Sequence, residues 1–181
     1  MYKNYLLNAC ALVPKFDHFN NPYTIIVTSN GYERVDLTPR QLIDTELKEN
    51  GSSLKGAKEA AKAILGQASV PPVFIPRSLF PHVWFSTESN RNESCCYFAL
   101  HHVLTAEELS SSPEKTLVIL RDGREIEVKV TRSRFIQRWN KASSYFAHTF
   151  FNHFISQPRY LKPEKKLVLK CAEVSESYLV D

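Results

Sequence analysis

Lys55, Lys58 and Lys62 stand at i, i+3 and i+7, a spacing that sets three ammonium groups on one face of a helix. Leu54, Ala61, Ile64 and Leu65 are expected on the opposite side, so the helix would bury one flank and turn a row of cations outward. Such a row can neutralise phosphates along a nucleic-acid backbone. It can equally be the solvated face of an ordinary amphipathic helix. A second basic stripe follows at Arg134, Arg138 and Lys141, with Arg132 just ahead of it. No acid interrupts this stripe, which separates it from a mixed-charge solvent face. Phe135, Trp139, Phe146 and Phe150 fall on the neighbouring face at helical spacing and are read as core rather than as a base-stacking platform.

Other chemistry has weaker footing. Cys95-Cys96 and His101-His102 are adjacent pairs, and adjacent residues on a strand point to opposite faces. Zinc ligands normally have two to four residues between them, so no metal site is expected. His148 and His153 are five apart on a helix and face different ways. The chain has no Gly-x-Ser-x-Gly elbow and no phosphate loop, and its five glycines cannot build a glycine-rich cradle. A Cys95–His101 or Cys95–His102 nucleophile–base pair can be drawn, but only because cysteines and histidines are numerous. The expectation is no catalytic residues and no cofactor.

The elements that must position the cations are legible in outline. Leu6 to Val13 reads as a strand ending at Pro14, and Tyr23–Ser29 with Tyr32–Val35 as a hairpin turning at Asn30-Gly31. Asp36 to Leu47 reads as helical, with Thr38 at the cap and Pro39 at the first helical position. Ser52 or Ser53 caps the lysine helix, which Gly66 closes. The prolines between Ser69 and Pro76 keep that stretch extended. Val83–Ser86 and Tyr97–Val103 read as strands around a polar loop from Ser86 to Glu93. Leu117–Leu120 and Ile126–Val130 flank a turn at Asp122-Gly123, and a long helix runs from Ser133 to about Phe154. Leu167–Cys171 is a candidate last strand. Strands and helices do not alternate regularly, so the class is α+β: one domain, a mixed and mainly antiparallel sheet, and two or three helices including the long one in the C-terminal half.

The bulk numbers agree with that. The 181 residues fit about one domain, and 43 % apolar content argues against disorder. The longest apolar run is too short to cross a bilayer, and Pro14-Lys15-Phe16 follows the N-terminal apolar stretch where a cleavage site would be needed. A soluble cytoplasmic protein with its four cysteines reduced is expected. The net charge of +4 permits an anionic partner without requiring one.

The order of local features carries more than any one of them. Gly51-Ser52-Ser53-Leu54-Lys55-Gly56-Ala57-Lys58, then Val70-Pro71-Pro72-Val73, then Trp84-Phe85-Ser86-Thr87-Glu88-Ser89, then Cys95-Cys96-Tyr97-Phe98 and His102-Val103 are similar, in order and spacing, to the middle of the ComK competence transcription factors. Ala11-Leu12-Val13-Pro14, the Thr24–Val35 hairpin, Asp122-Gly123 and Ser133-x-Phe135 extend the resemblance over about residues 4–155. It implies a DNA-binding domain over 1–156, with 157–181 as an extension holding at most one strand on the same domain. It further implies a nucleoid-associated, self-associating activator of DNA-uptake genes that recognises paired A/T-rich boxes in double-stranded DNA through the minor groove. Narrow A-tract minor grooves concentrate negative potential and attract Arg and Lys; readout there separates A·T from G·C and little else, and two spaced boxes restore specificity.

Phosphate contact is then assigned to Lys55, Lys58, Lys62, Arg132, Arg134, Arg138 and Lys141, and groove insertion to Arg91 in the polar loop. Where the family carries an arginine and a lysine, this chain has Ala57 and Val70. A divergent paralogue acting as a protein-interaction module without DNA binding is the alternative. The tail from Gln157 does not match the segment that a proteolytic adaptor reads in related proteins, so that control is not expected here.

Overall fold

Thr38 and Gln41 open the first helix by capping each other. The Thr38 hydroxyl accepts from the Gln41 amide at 3.3 Å, and Gln41 Oε1 accepts from the Thr38 amide at 2.8 Å. The helix α1 therefore runs Pro39–Glu49, with Thr38 as its cap and Pro39 as its first residue as expected, leaving Asp36 and Leu37 outside it. Leu37 is held outside it because its carbonyl accepts from the Thr24 hydroxyl at 2.5 Å. Ser53 caps α2 (Leu54–Leu65) through the Gly56 amide, and Gly66, at φ +75°, ends it as expected. The long helix α3 spans Arg132–Phe150. The computed structural model describes residues 5–66, 69–76, 82–89 and 92–152; the expected strand Leu167–Cys171 lies outside them.

The strands are β1 (Ala9–Phe16), β2 (Pro22–Thr28), β3 (Gly31–Val35), β4 (Val73–Ile75), β5 (His82–Ser86), β6 (Tyr97–Ala99), β7 (Val103–Leu109), β8 (Ser112–Leu120) and β9 (Glu125–Val128). They form two sheets, one of six strands in the order β3-β2-β1-β6-β5-β4 and one of three in the order β7-β8-β9, with every pairing antiparallel.

Several boundaries differ from the sequence reading for local reasons. β1 continues through Pro14 to Phe16. It pairs with β6 only at Ala11 and Leu12, so the missing Pro14 amide faces no ladder on that side. The first hairpin turns at Ser29-Asn30, one residue early, because Thr28 pairs with Gly31. Tyr97–Val103 is not one strand. A 3-10 turn at Leu100–His102 carries the chain from the large sheet into the small one. The Arg121 amide and Nε hold that turn by donating to the His102 and His101 carbonyls at 2.9 and 2.8 Å. β7 and the outer half of β8 escape sequence reading because their exposed ends carry Glu107, Glu108, Glu114 and Lys115 instead of alternating apolar residues.

The inner strands of the six-stranded sheet are buried on both faces, while the edge strand β3 is not. Trp84, Tyr97, Leu12 and Ile26 join Leu42, Ile43 and Leu47 of α1 on one side. Val83, Phe85, Cys96 and Phe98 face the other side, where they meet Val103, Val118 and Leu120 of the small sheet and Phe135, Ala142 and Tyr145 of α3. The Phe85, Phe98 and Phe135 rings pack at centroid distances of 5.4 to 6.0 Å. Burial on both faces explains why β5 and β6 read as continuous apolar runs and not as alternating strands.

Candidate nucleic-acid interface

α2 and α3 pack against each other, and α2 also touches α1 and β4. Their basic stripes lie beside their buried seams. On α2 the buried line is Leu54, Ala57 and Ala61, with Leu65 partly buried. Ile64, expected on that line, falls on its flank and is 38 % exposed. Lys55 and Lys62 are exposed, while Lys58, nearest the seam, is half-buried. Ala57 is packed in the core, so a cation at that position could not simply point outward.

On α3, Phe135, Ala142, Tyr145 and Thr149 are buried. Arg134, Arg138 and Lys141 run along one flank, with Arg134 exposed and Arg138 and Lys141 half-buried. Trp139, Phe146 and Phe150 run along the other and are only partly buried. The aromatic stripe is therefore a core member at Phe135 and a core margin elsewhere.

The two stripes share a neighbourhood at the polar loop before β6. Burial holds the Lys58 ammonium below the usual lysine range, and nearby Arg40 and Lys62 push the same way while Cys95 opposes them. Burial likewise lowers Arg138, with Arg134 adding and Cys95 and Glu88 opposing. Cys95 is thus a common neighbour of a cation from each helix. Arg138 Nη1 is buried with no hydrogen-bond partner among the described residues. Within the same residues, none of Arg40, Lys55, Lys58, Lys62, Arg134, Arg138 and Lys141 stands within salt-bridge distance of a carboxylate. Four other cations are matched: Arg34 with Asp36, Lys48 with Asp44, Lys115 with Glu127 and Arg124 with Asp122.

Arg132, ahead of the stripe, is exposed and makes a hydrogen bond to the small sheet. Its Nε donates to the Ala106 carbonyl at 2.8 Å, fastening the first turn of α3 to β7. Arg91 lies outside the described residues. The loop around it is anchored by the Thr87 amide donating to the Cys96 carbonyl at 2.9 Å, the Cys96 amide donating to the Thr87 hydroxyl at 3.0 Å, and the Asn92 amide donating to the Ser89 carbonyl at 2.9 Å. Arg40 is the residue that sequence reading missed. It is a lone arginine in the first turn of α1 with no periodic partner, and only the packing of α1 on α2 brings it to Lys58.

The cysteines and histidines take other roles. Cys95 and Cys96 fall in opposite core layers, and burial raises both thiols, Cys96 to about 12, which keeps them protonated and poor nucleophiles. His101 and His102 do not point apart as strand neighbours would. The 3-10 turn sets their rings 4.2 Å apart, with His82 edge-on to His101 at 5.0 Å. Among the described residues no group of three or more ligand-type side chains is gathered as a metal site would require. No described helix is long and apolar enough to cross a membrane.

A family model described as ComK protein matches residues 2–150. No curated protein matches the chain, and no solved structure does. The match takes in both cation-bearing helices, the loop between β5 and β6 and both sheets. The chain therefore belongs to the ComK family of competence transcription regulators.

Proposed function

We propose that this chain is a DNA-binding transcriptional activator of DNA-uptake genes, acting in the cytoplasm on the nucleoid, and that α2 and α3 present its phosphate-contacting face. The observation that carries the reading is the unmatched cation group of Lys55, Lys58, Lys62, Arg134, Arg138 and Lys141 on two packed helices, two of its members held partly desolvated. Folding brings like charges together there with no carboxylate within salt-bridge distance among the described residues, and Glu88 acts on Arg138 only from further away, so the arrangement costs stability and favours an external polyanion.

Groove insertion is assigned to Arg91. Ser89 and Asn92, which flank it in sequence, belong to a loop whose Glu88 and Cys95 neighbour Arg138 and Lys58. An arginine carried by a loop next to a phosphate-binding face is suited to a narrow A/T minor groove. Arg132 contributes by fixing α3 rather than by touching DNA. Recognition of two spaced A/T boxes calls for two copies of the domain over 1–156, and the partly exposed aromatic margin of α3 suits self-association.

The test is fluorescence anisotropy with one duplex carrying spaced A/T tracts and one G/C-rich duplex, across a salt series. Tighter A/T binding that weakens steeply with salt is expected, with log–log slope reporting the phosphates contacted. Reversing charge at Lys58 and Lys62 should weaken binding to both duplexes and flatten that slope, whereas Arg91→Ala should erode the A/T preference more than the total affinity. A stable fold with no salt-sensitive affinity for either duplex would instead favour a protein-interaction module.

A further inference from the structure

Between α1 and α2 lies a cleft of about 470 Å³ lined by Arg40, Asp44 and Lys48 of α1 and Ser53, Lys55 and Lys58 of α2, with Ser69, Val70 and Ser89 at its rim. It holds four cations and one carboxylate. That carboxylate is already engaged: Asp44 Oδ2 pairs with Lys48 at 2.8 Å, and Asp44 Oδ1 accepts from the Leu54 amide at 2.9 Å. The first amide of α2 is therefore occupied, and any affinity for an anion must come from side chains. Arg40, Lys55 and Lys58 remain without a carboxylate within salt-bridge distance among the described residues. Arg40 is close enough to Lys58 to disfavour the lysine's charge, and Lys58 is half-buried where it stands.

We infer that this cleft is a seat for a phosphate ester, with Arg40, Lys55 and Lys58 as its charged ligands and Ser53 as a hydroxyl donor at its edge. Arg40 offers a planar fork that can bind two phosphate oxygens, and the two lysines supply point charges from the facing helix. A convex cation row can only track a backbone. A concave seat with cations on both walls fixes one phosphate in place, and so sets where the neighbouring loop meets the grooves. The inference rests on the DNA-binding reading for the source of the phosphate, a backbone phosphodiester; a free phosphate ester has the same chemistry and is separated from it by experiment.

The full chain is treated with a limiting amine-acetylating reagent, alone, with inorganic pyrophosphate, and with the A/T duplex, and acetylation of each lysine is followed by mass spectrometry. Lys58, with its lowered proton affinity, should react readily in the free protein. Both probes should slow Lys55 and Lys58 several-fold while leaving Lys115, paired with Glu127 on the small sheet, unchanged. Arg40→Gln, at an exposed position, should remove most of that protection with an unaltered thermal midpoint, and Lys55→Gln should weaken protection of Lys58 in the same way. Protection by the duplex, together with that by pyrophosphate, identifies a backbone phosphodiester as the occupant, whereas protection by pyrophosphate but not by a bound duplex overturns that source. A duplex that binds by anisotropy while Lys55 and Lys58 react at their free rates with either probe overturns the seat and leaves the DNA-binding reading standing. With no duplex binding at all, that reading fails and pyrophosphate decides. Protection then makes the cleft a site for a free phosphate ester, and its absence overturns the seat as well.

Discussion

Arg132 and Ala106 are tied across the joint between the long helix and the small sheet: the guanidinium Nε donates to the carbonyl oxygen at 2.8 Å. A charge-assisted bond from the first helical turn to a strand is a positional fastener. Arg132→Ala should lower the unfolding free energy by about 1 kcal/mol, read by urea titration. Lys55→Ala, on an exposed face, should stay within about 0.5 kcal/mol of wild type. A stability loss for Lys55→Ala and none for Arg132→Ala would reverse the assignment.

Arg138 carries the opposite signature. Its buried Nη1 has no acceptor among the described residues, and burial depresses its proton affinity. Removing an unsatisfied buried donor relieves a penalty of roughly 1–3 kcal/mol, discounted here because the residue is only half-buried. Arg138→Met should therefore raise the thermal midpoint while weakening DNA binding, the trade-off expected of a group kept for function. A variant that loses both stability and affinity would mark Arg138 as structural.

Lys58 should couple binding to protons. Its folded-state pKa is lowered, so between that value and the unfolded lysine range the unfolded chain binds more protons, and stability rises with pH through this alkaline window. A bound phosphate restores the charged form. Duplex binding on the alkaline side should then take up a proton, seen by calorimetry as a heat that varies with the ionisation enthalpy of the buffer. Lys58→Met should abolish both effects.

His101 works at the acid end. Desolvation, His102, His82 and Arg121 push it down to about 4. A depressed folded-state value means that stability is present above the ordinary histidine range near 6.5 and is lost as pH falls from there toward about 4. His101 is solvent-exposed, which screens part of the effect, so the expected loss is modest. His101→Gln should flatten the acid limb of a pH–midpoint profile without altering DNA affinity at neutral pH. An acid limb unchanged by the substitution would place the titrating group elsewhere.

Val70 lines the α1–α2 cleft. Val70→Lys would add a cation facing Arg40 and Lys55, and should strengthen duplex binding and steepen the salt slope by about one phosphate equivalent. Anisotropy over the same salt series measures both. An unchanged slope would mean that position 70 does not see the backbone.

Local chemistry was readable wherever it was written within a few neighbouring residues. Thr38 and Ser53 announce the starts of the first two helices and Gly66 the end of the second because a cap is a contact between neighbours. The basic stripes of Lys55–Lys62 and Arg134–Lys141 were visible because helical periodicity alone sets which side chains share a face. The α+β class and the ComK resemblance followed from the order of such signals. Tertiary structure decided what those stripes meet. The division into two sheets turns on a three-residue turn at Leu100–His102 held by Arg121, some twenty residues away. Arg40 joins Lys58, Arg132 is fastened to Ala106, and Arg138 is half-buried near Cys95 only because helices distant in sequence pack on the same sheet. Sequence periodicity fixes the face on which a charge sits; burial and the identity of its neighbours depend on packing between segments that no local pattern encodes.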